Sequence, residues 1–284
     1  MKAGSSPSLP SLALLCLAVT GLSAGVTGCA GTATRTATAS QLDTILASSH
    51  RSDANRARDP FRHPRETLLF FGIRPDHTVV EVLPIGGWYT EVIAPLVRAD
   101  GLYIGAMPQV VAGNANSENS RQNYMNILAR APGHLDRVKV VDFNATTEAP
   151  MVPDASADVV LTFRNIHNWM AGGQAEAAFR MMYRALKPGG TLGVVEHRGN
   201  EAVPQDPRAR SGYVNQSYAI RLVEGAGFKL VATSEINANP KDTKDYAGGV
   251  WTLPPRLAAG EVDRAKYVAI GESDRFTLKF VKPR

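Results

Sequence analysis

Three short stretches carry the residue types from which a site could be built. In VVEVLPIGGWYTEVIAP an acid, Glu81, closes an apolar run, and Gly86 and Gly87 follow before an amphipathic segment begins. An acid at the carboxyl end of a strand can hold ribose hydroxyls, and glycines let the backbone approach a nucleotide before a helix starts. In FRNIHNWM, His167 is placed to act as a general base, Asn165 to orient a substrate and Arg164 to bind an anionic group. EHRGN offers a second pair, Glu196 and His197, although neighbours on a strand point to opposite faces and only one of the two is expected in a pocket. A purely structural role stays open for both histidines. Trp88 and Tyr89 either lie against a ligand or pack in the first turn of a helix, with packing expected for Tyr89.

Other chemistries lack their residues. The histidines past the first 28 residues (His50, His63, His77, His134, His167, His197) are widely separated with no helix-spaced pair, so no metal site is expected. No serine sits in a nucleophile-elbow motif. The two cysteines, Cys16 and Cys29, both fall at the amino terminus, which leaves no thiol for a disulfide or a nucleophile in the folded part. Charge is mildly basic, 31 Lys and Arg against 26 Asp and Glu, and scattered rather than clustered with aromatics; nucleic-acid binding is not expected.

The elements that must position these residues alternate. HTVVEVL, GLYIGAM, RVKVVDF, ADVVLTF and TLGVVEH are short apolar strands, separated by the helical YTEVIAPLV, SRQNYMNILARA and GQAEAAFRMMYRALKPGG. Strands and helices in that rhythm imply parallel βαβ units, hence an α/β doubly wound sheet covered on both faces. Before them, residues 42–71 read as mostly helical, broken at DPFRHPRE by Pro60 and Pro64. After them, SYAIRLVEGAGF is a helix, and KLVATSEI and DRFTLKFV are strands joined by a long insertion, which favours antiparallel pairing of the last two. The insertion is a plausible lid. In open sheets of this kind the reacting centre lies beyond the strand carboxyl ends, where the three stretches fall.

The first 28 residues combine Lys2, the apolar run LALLCLAVTGLSAGV and small residues, a pattern of export signals; a spanning helix would not be broken by glycines. VTGC resembles the bacterial lipobox, and that resemblance makes Cys29 the lipid-modified first residue of the mature protein; a plain secretory signal is the alternative. Residues 29–41, AGTATRTATAS at their core, hold almost no large apolar side chain and read as a flexible tether. The expected organisation is therefore a signal over 1–28, a tether over 29–41 and one domain over 42–284, held in the cell envelope and facing the periplasm or exterior.

The order of elements, with LKPGG before the fifth strand and EGAGF before the terminal pair, resembles class I S-adenosylmethionine-dependent methyltransferases over about residues 65–284. DPFRHPRETLLFFGI, VVEVLPIGGWYTEVIAP and DRFTLKFVKP are similar to a branch of predicted, often exported, bacterial methyltransferases. The resemblance implies a mostly parallel seven-stranded sheet with a terminal antiparallel pair and S-adenosylmethionine as cofactor. It implies cofactor contacts at Glu81, Pro84, Gly86, Gly87, Trp88, Asp142, Phe143 and Arg164, with His167, Asn165 and His197 left for catalysis. Asp142 would face the adenine amino group, or else cap the loop after its strand. Three positions depart from the pattern. Leu83 and Ile85 stand where the first two glycines usually fall, and Ile85 is expected in a conformation that glycine adopts more easily. Met107 stands where an acid usually ends the second strand; it offers an adenine a packing surface and no comparable hydrogen bond.

Two functions follow. One is transfer of a methyl group to an unknown small-molecule acceptor by an exported lipoprotein. The other is a methyltransferase-like envelope lipoprotein without transfer activity that binds another small ligand or a protein partner.

Overall fold

The computed structural model describes residues 26–284, together with residues 1, 3 and 4. The apolar stretch of the expected export signal lies outside the described residues over 5–25. The chain runs α1 (Val26–Ala47), α2 (Asp53–Arg56), α3 (Asp59–Arg62), α4 (Pro64–Phe71), β1 (Thr78–Val82), α5 (Thr90–Val97), β2 (Leu102–Pro108), α6 (Ala115–Ala129) and α7 (Pro132–Leu135). It continues through β3 (Lys139–Phe143), β4 (Ala157–Phe163), α8 (Ile166–Gly172), α9 (Ala175–Ala185), β5 (Leu186–His197), α10 (Gln216–Gly225), β6 (Lys229–Ser234), a 3₁₀ turn (Gly249–Thr252), α11 (Arg264–Ile270) and β7 (Arg275–Val281).

Seven strands form one sheet in the order β3-β2-β1-β4-β5-β7-β6. The first five are parallel, and β7 lies antiparallel between β5 and β6. The central strands are apolar on both faces because helices cover both. Val80 and Val82 of β1 turn to the side of Phe179 and Met182 from α9, whereas Val79 turns to the side of Phe71, Val92 and Ile93. That alternation divides the core into two halves on either side of the sheet. Gly72 closes α4 at φ 77°, and its N–H meets the Leu68 carbonyl at 3.1 Å, which turns the chain into β1.

The doubly wound sheet with its terminal antiparallel pair is as the sequence implies. The fold also orients the site. β1 lies between β2 and β4, so the chain winds outward in opposite directions from it, and a crevice opens at the carboxyl ends of β1, β4 and β5. The insertion between β6 and β7 comes back over that edge, and its Val250–Trp251 and Leu253–Arg256 segments line the crevice.

The amino-terminal segment differs from expectation. Residues 29–41, read as a flexible tether, run inside α1, which packs on α4 and α5. Alanine has the best helix propensity of any residue, and two anchors one turn apart, Thr38 and Leu42, are both buried. Among the described residues no helix is long and apolar enough to cross a membrane.

Candidate active site

The crevice is a cavity of about 330 Å³ at the carboxyl edge of the sheet. β1 delivers Glu81 into it. The carboxyl is buried; one oxygen accepts the Tyr103 hydroxyl at 2.5 Å, and that hydroxyl also meets Thr90 Oγ1 at 2.9 Å, which in turn meets the Tyr124 hydroxyl at 3.0 Å. The other Glu81 oxygen has no hydrogen-bond partner among the described residues. Burial pushes the Glu81 carboxyl up to about 7, against the Tyr103 hydrogen bond and the fields of Arg164 and Arg62, which work to lower it.

The turn after β1 is built differently from the expectation for Ile85. Positive φ falls on Leu83 (56°) and Gly87 (66°), not on Ile85, whose side chain is 43% exposed at the cavity rim. The Gly87 N–H closes the turn onto the Pro84 carbonyl at 2.7 Å. A Cβ on Gly87 would stand 2.9 Å from Ile127 Cγ2 of α6, whereas one on Gly86 would meet nothing within 4 Å and would project into open space beside the cavity. Gly87 therefore serves the fold, whereas at Gly86 the fold itself leaves room for a side chain on the cavity side.

Trp88 lines the cavity with its Nε1 donating to the Asn55 carbonyl at 2.9 Å and the Arg62 guanidinium 4.8 Å from its ring centre. Tyr89 packs, as expected, stacked on Phe163 at 3.7 Å between ring centres, although it still forms part of the wall.

β4 and α8 deliver Arg164, Asn165 and His167. Arg164 sits at φ 62°, with its backbone N–H on the Val195 carbonyl at 2.7 Å. Its guanidinium faces the cavity without a hydrogen bond, and burial, then Arg275, draw it down to about 10. Asn165 uses its amide nitrogen structurally, on the Val82 carbonyl (3.0 Å) and Thr162 Oγ1 (3.1 Å), and so ties β4 to β1. Only its carbonyl oxygen stays available to a substrate.

The sequence pairs Glu196 with His197, but the structure pairs it with His167. Glu196 is fully buried beneath the cavity and accepts the His167 ring Nδ1 at 3.1 Å, the His167 backbone N–H at 3.3 Å and the His197 backbone N–H at 2.8 Å. Three donors face it, so it serves as an acceptor; a ring carrying its proton on Nδ1 suits that contact and leaves Nε2 turned away from the carboxylate. His197 also lines the cavity, with Nδ1 on Ser273 Oγ at 2.5 Å. Burial first, then His167 and the Arg275, Arg164 and Arg62 charges, hold it well below its ordinary value, which keeps it neutral at neutral pH.

Asp142 and Phe143 are not brought to the cavity. Asp142 is 55% exposed in its side chain and pairs with Arg121 at 2.5 Å; Phe143 is buried against Trp169, 5.9 Å between ring centres. Met107 is fully buried in the core. Cys29 lies within α1, and nothing of its side chain is described.

Sequence reasoning missed a set of arginines. Arg58 and Arg62 reach the cavity from the helices around DPFRHPRE, Arg275 from the start of β7 and Arg256 from the insertion. Glu272 holds three of them: Arg58 Nε at 2.6 Å, Arg62 Nε at 3.2 Å and, through a short contact, Arg275. Burial works to raise the Glu272 carboxyl, and the fields of Arg275, Arg62 and Arg58 overrule it and hold it far below the usual range. The signal was present in Arg58 and Arg62, which fall just before and within DPFRHPRE, a stretch read above only for its prolines.

This strand order, with a ligand-sized crevice at the β1–β4 switch point, defines the fold of class I S-adenosylmethionine-dependent methyltransferases. Residues 103–194 match the family described as a methyltransferase domain. The ubiquinone/menaquinone biosynthesis C-methyltransferase UbiE of Pseudoalteromonas translucida (strain TAC 125) is 31% identical over 135 residues, which span 46% of this chain and 47% of that protein. The match thus extends over about half the length of that relative. Among solved structures, the [4+2]-cyclase SpnF superposes with a TM-score of 0.56 at 17% identity, covering 89% of this chain and 96% of its own. A methyltransferase from Aquifex aeolicus superposes with a TM-score of 0.53 at 16% identity, covering 86% and 98%. One fold serves both a cyclase and a methyltransferase, so the reaction has to be argued from the site.

Proposed function

We propose that the protein transfers a methyl group from S-adenosylmethionine to a small acceptor in this cavity, and that it does so in the cell envelope, tethered by a lipid on Cys29. What carries the reading is the convergence, at one sheet edge, of the Gly86 opening, Glu81 with one free carboxyl oxygen, and the His167–Glu196 pair. The residues present fit the cofactor: Gly86 leaves open space beside the cavity, Glu81 offers an acceptor, and Pro84 and Trp88 complete that wall. When bound, the cofactor supplies an electrophilic methyl group on a sulfonium that is already a good leaving group.

The protein's own work then reduces to holding the acceptor and taking its proton. His167 Nε2 accepts that proton. Glu196 fixes the ring through Nδ1 and stabilises the imidazolium that forms, in the manner of the carboxylate in a catalytic triad. The Asn165 carbonyl orients the acceptor, and the neutral His197 stands as a second acceptor beside it. The Trp251 ring, 6.0 Å from that of His167, and the rest of the insertion shield the base from water.

The test is methyl transfer itself. Protein incubated with S-adenosylmethionine labelled in its methyl group and a small-molecule extract of the envelope is expected to label a compound, and His167→Ala to abolish the labelling while the fold stays intact. Equal labelling by the variant would overturn the role of His167; no labelling by either protein, with no cofactor bound, would favour the second reading, a ligand-binding lipoprotein on the same fold. For the anchor, the mature protein is expected to begin at an acylated Cys29, and a mass that retains residues 1–28 without lipid would refute it.

A further inference from the structure

The charge of the cavity is unsuited to a cationic cofactor alone. Five guanidiniums line it, those of Arg58, Arg62, Arg164, Arg256 and Arg275, and among the described residues Glu81 is the only carboxyl that does. Behind the wall stand Glu272 and Glu196. Even with all three acids ionised the arginines outnumber them. S-adenosylmethionine carries a sulfonium, an ammonium and one carboxylate, so its binding adds positive charge to a partly desolvated site. Like charges brought together away from water repel strongly.

Several of these guanidiniums also have donors to spare. Arg62 is 4% exposed, yet its Nη2 has no hydrogen-bond partner; the same holds for buried Nη2 of Arg58 and buried Nε of Arg275. Buried donors are normally satisfied, and those left unpaired at the cavity wall add unbalanced positive charge there. Among the described residues the Arg164 side chain has no hydrogen-bonded or ion-paired partner, and its backbone is held in a left-handed conformation that costs a residue with a Cβ about 1–2 kcal/mol.

We propose that the methyl acceptor is an oxyanion, a small carboxylate or phosphate, held by Arg164 with Arg62 and Arg275 in a subsite separate from that of the cofactor. This rests on the methyltransferase reading. An oxyanion there supplies the missing charge, meets the cavity-facing Arg164 guanidinium in the bidentate geometry that guanidiniums favour, and sets the rest of the acceptor beside His167 Nε2. A divalent cation is the competing ligand, because His167, Glu196 and His197 bring ligand atoms within 4.8 Å of one another. Both Nδ1 atoms and the carboxylate there are already engaged within the protein, and the arginines that depress His197 would repel the ion.

The test uses the whole protein, with inorganic phosphate and acetate as probes and S-adenosylhomocysteine as a stand-in for the cofactor. Titration calorimetry is expected to show phosphate, acetate or both binding whether or not S-adenosylhomocysteine is present, with affinity changing less than about threefold. Arg164→Met is expected to weaken the oxyanion at least about tenfold, and Arg164→Lys by less, with both variants melting near the wild type. Should Arg164→Met fail to fold, Arg164→Lys decides: a loss of bidentate contact must still weaken binding. Unchanged affinity in the folded variants overturns the proposal. So does mutual exclusion of phosphate and S-adenosylhomocysteine, which would show that the arginines hold the cofactor's own carboxylate. Oxyanion binding that depends on Arg164 in a protein that takes no S-adenosylhomocysteine would sink the methyltransferase reading and the acceptor assignment with it, leaving an anion-binding site.

Discussion

Glu81→Gln is expected to stabilise the protein above neutral pH and to leave it nearly unchanged in mild acid. Burial raises the Glu81 carboxyl from its ordinary 4.5 to about 7 in the folded protein. A carboxyl raised on folding contributes stability that is fully present below its unfolded value and is lost as pH climbs through its folded value. The window is therefore pH 4.5 to about 7, and the rise corresponds to a loss of about 3 kcal/mol across it. Glutamine keeps an oxygen to accept the Tyr103 hydroxyl and removes the titration, so it escapes that loss. Urea unfolding at a series of pH values would measure it. The stability difference between variant and wild type should grow by about 3 kcal/mol from pH 4.5 to 8.5, with equal m-values at each pH. A difference flat across that range, or one that shrinks as pH rises, would refute the claim that burial dominates the environment of Glu81. The consequence for ligand binding is direct, since an acid poised near neutrality can accept a hydrogen bond in its charged form or donate one in its neutral form.

The two glycines of the turn should separate structure from function. Gly87→Ala is expected to lower stability by about 1–3 kcal/mol in thermal unfolding, from its positive φ and the contact with Ile127, whereas Gly86→Ala should leave stability within about 1 kcal/mol and weaken S-adenosylhomocysteine at least about tenfold. Equal melting temperatures for the pair would contradict the assignment. Nitrogen NMR of His167 should show the Nδ1-protonated tautomer, and Glu196→Gln should mix the tautomers; an Nε2-protonated ring in the wild type would deny His167 its role as base. Cys29→Ser is expected to leave an unacylated chain in the soluble fraction, and membrane retention of that variant would remove Cys29 as the anchor.

Much of the frame was legible in the residues and much of the site was not. The strands declared themselves because parallel strands buried on both faces read as unbroken apolar runs, and Glu81 and Gly86 because they sit within a few residues of one such run. His167, in α8 just past β4, and His197, at the end of β5, were legible as residues beyond the strands, yet their partners were not, since Glu196 lies 29 residues from His167 and Ser273 lies 76 from His197. No local pattern encodes those pairings. The arginine cluster is less local still: Arg58 and Arg62 meet Glu272 from 214 and 210 residues away. The strained positions moved as well. Ile85 drew attention as the missing glycine, but the left-handed conformation falls on Leu83, whose N–H bonds to the Ala106 carbonyl at 2.8 Å and extends the β1–β2 ladder past Val82. Asp142 illustrates the opposite case: its place at the end of β3 suited a ligand contact, and the Arg121 side chain from α6 takes it instead.

The central claim is that the turn after β1 still receives the cofactor, and calorimetric titration of the purified protein with S-adenosylhomocysteine tests it most directly. The account predicts one site per chain with micromolar affinity, lost in Gly86→Val while the melting temperature holds. A folded wild-type protein that gives neither heat nor a thermal shift at millimolar ligand would contradict it.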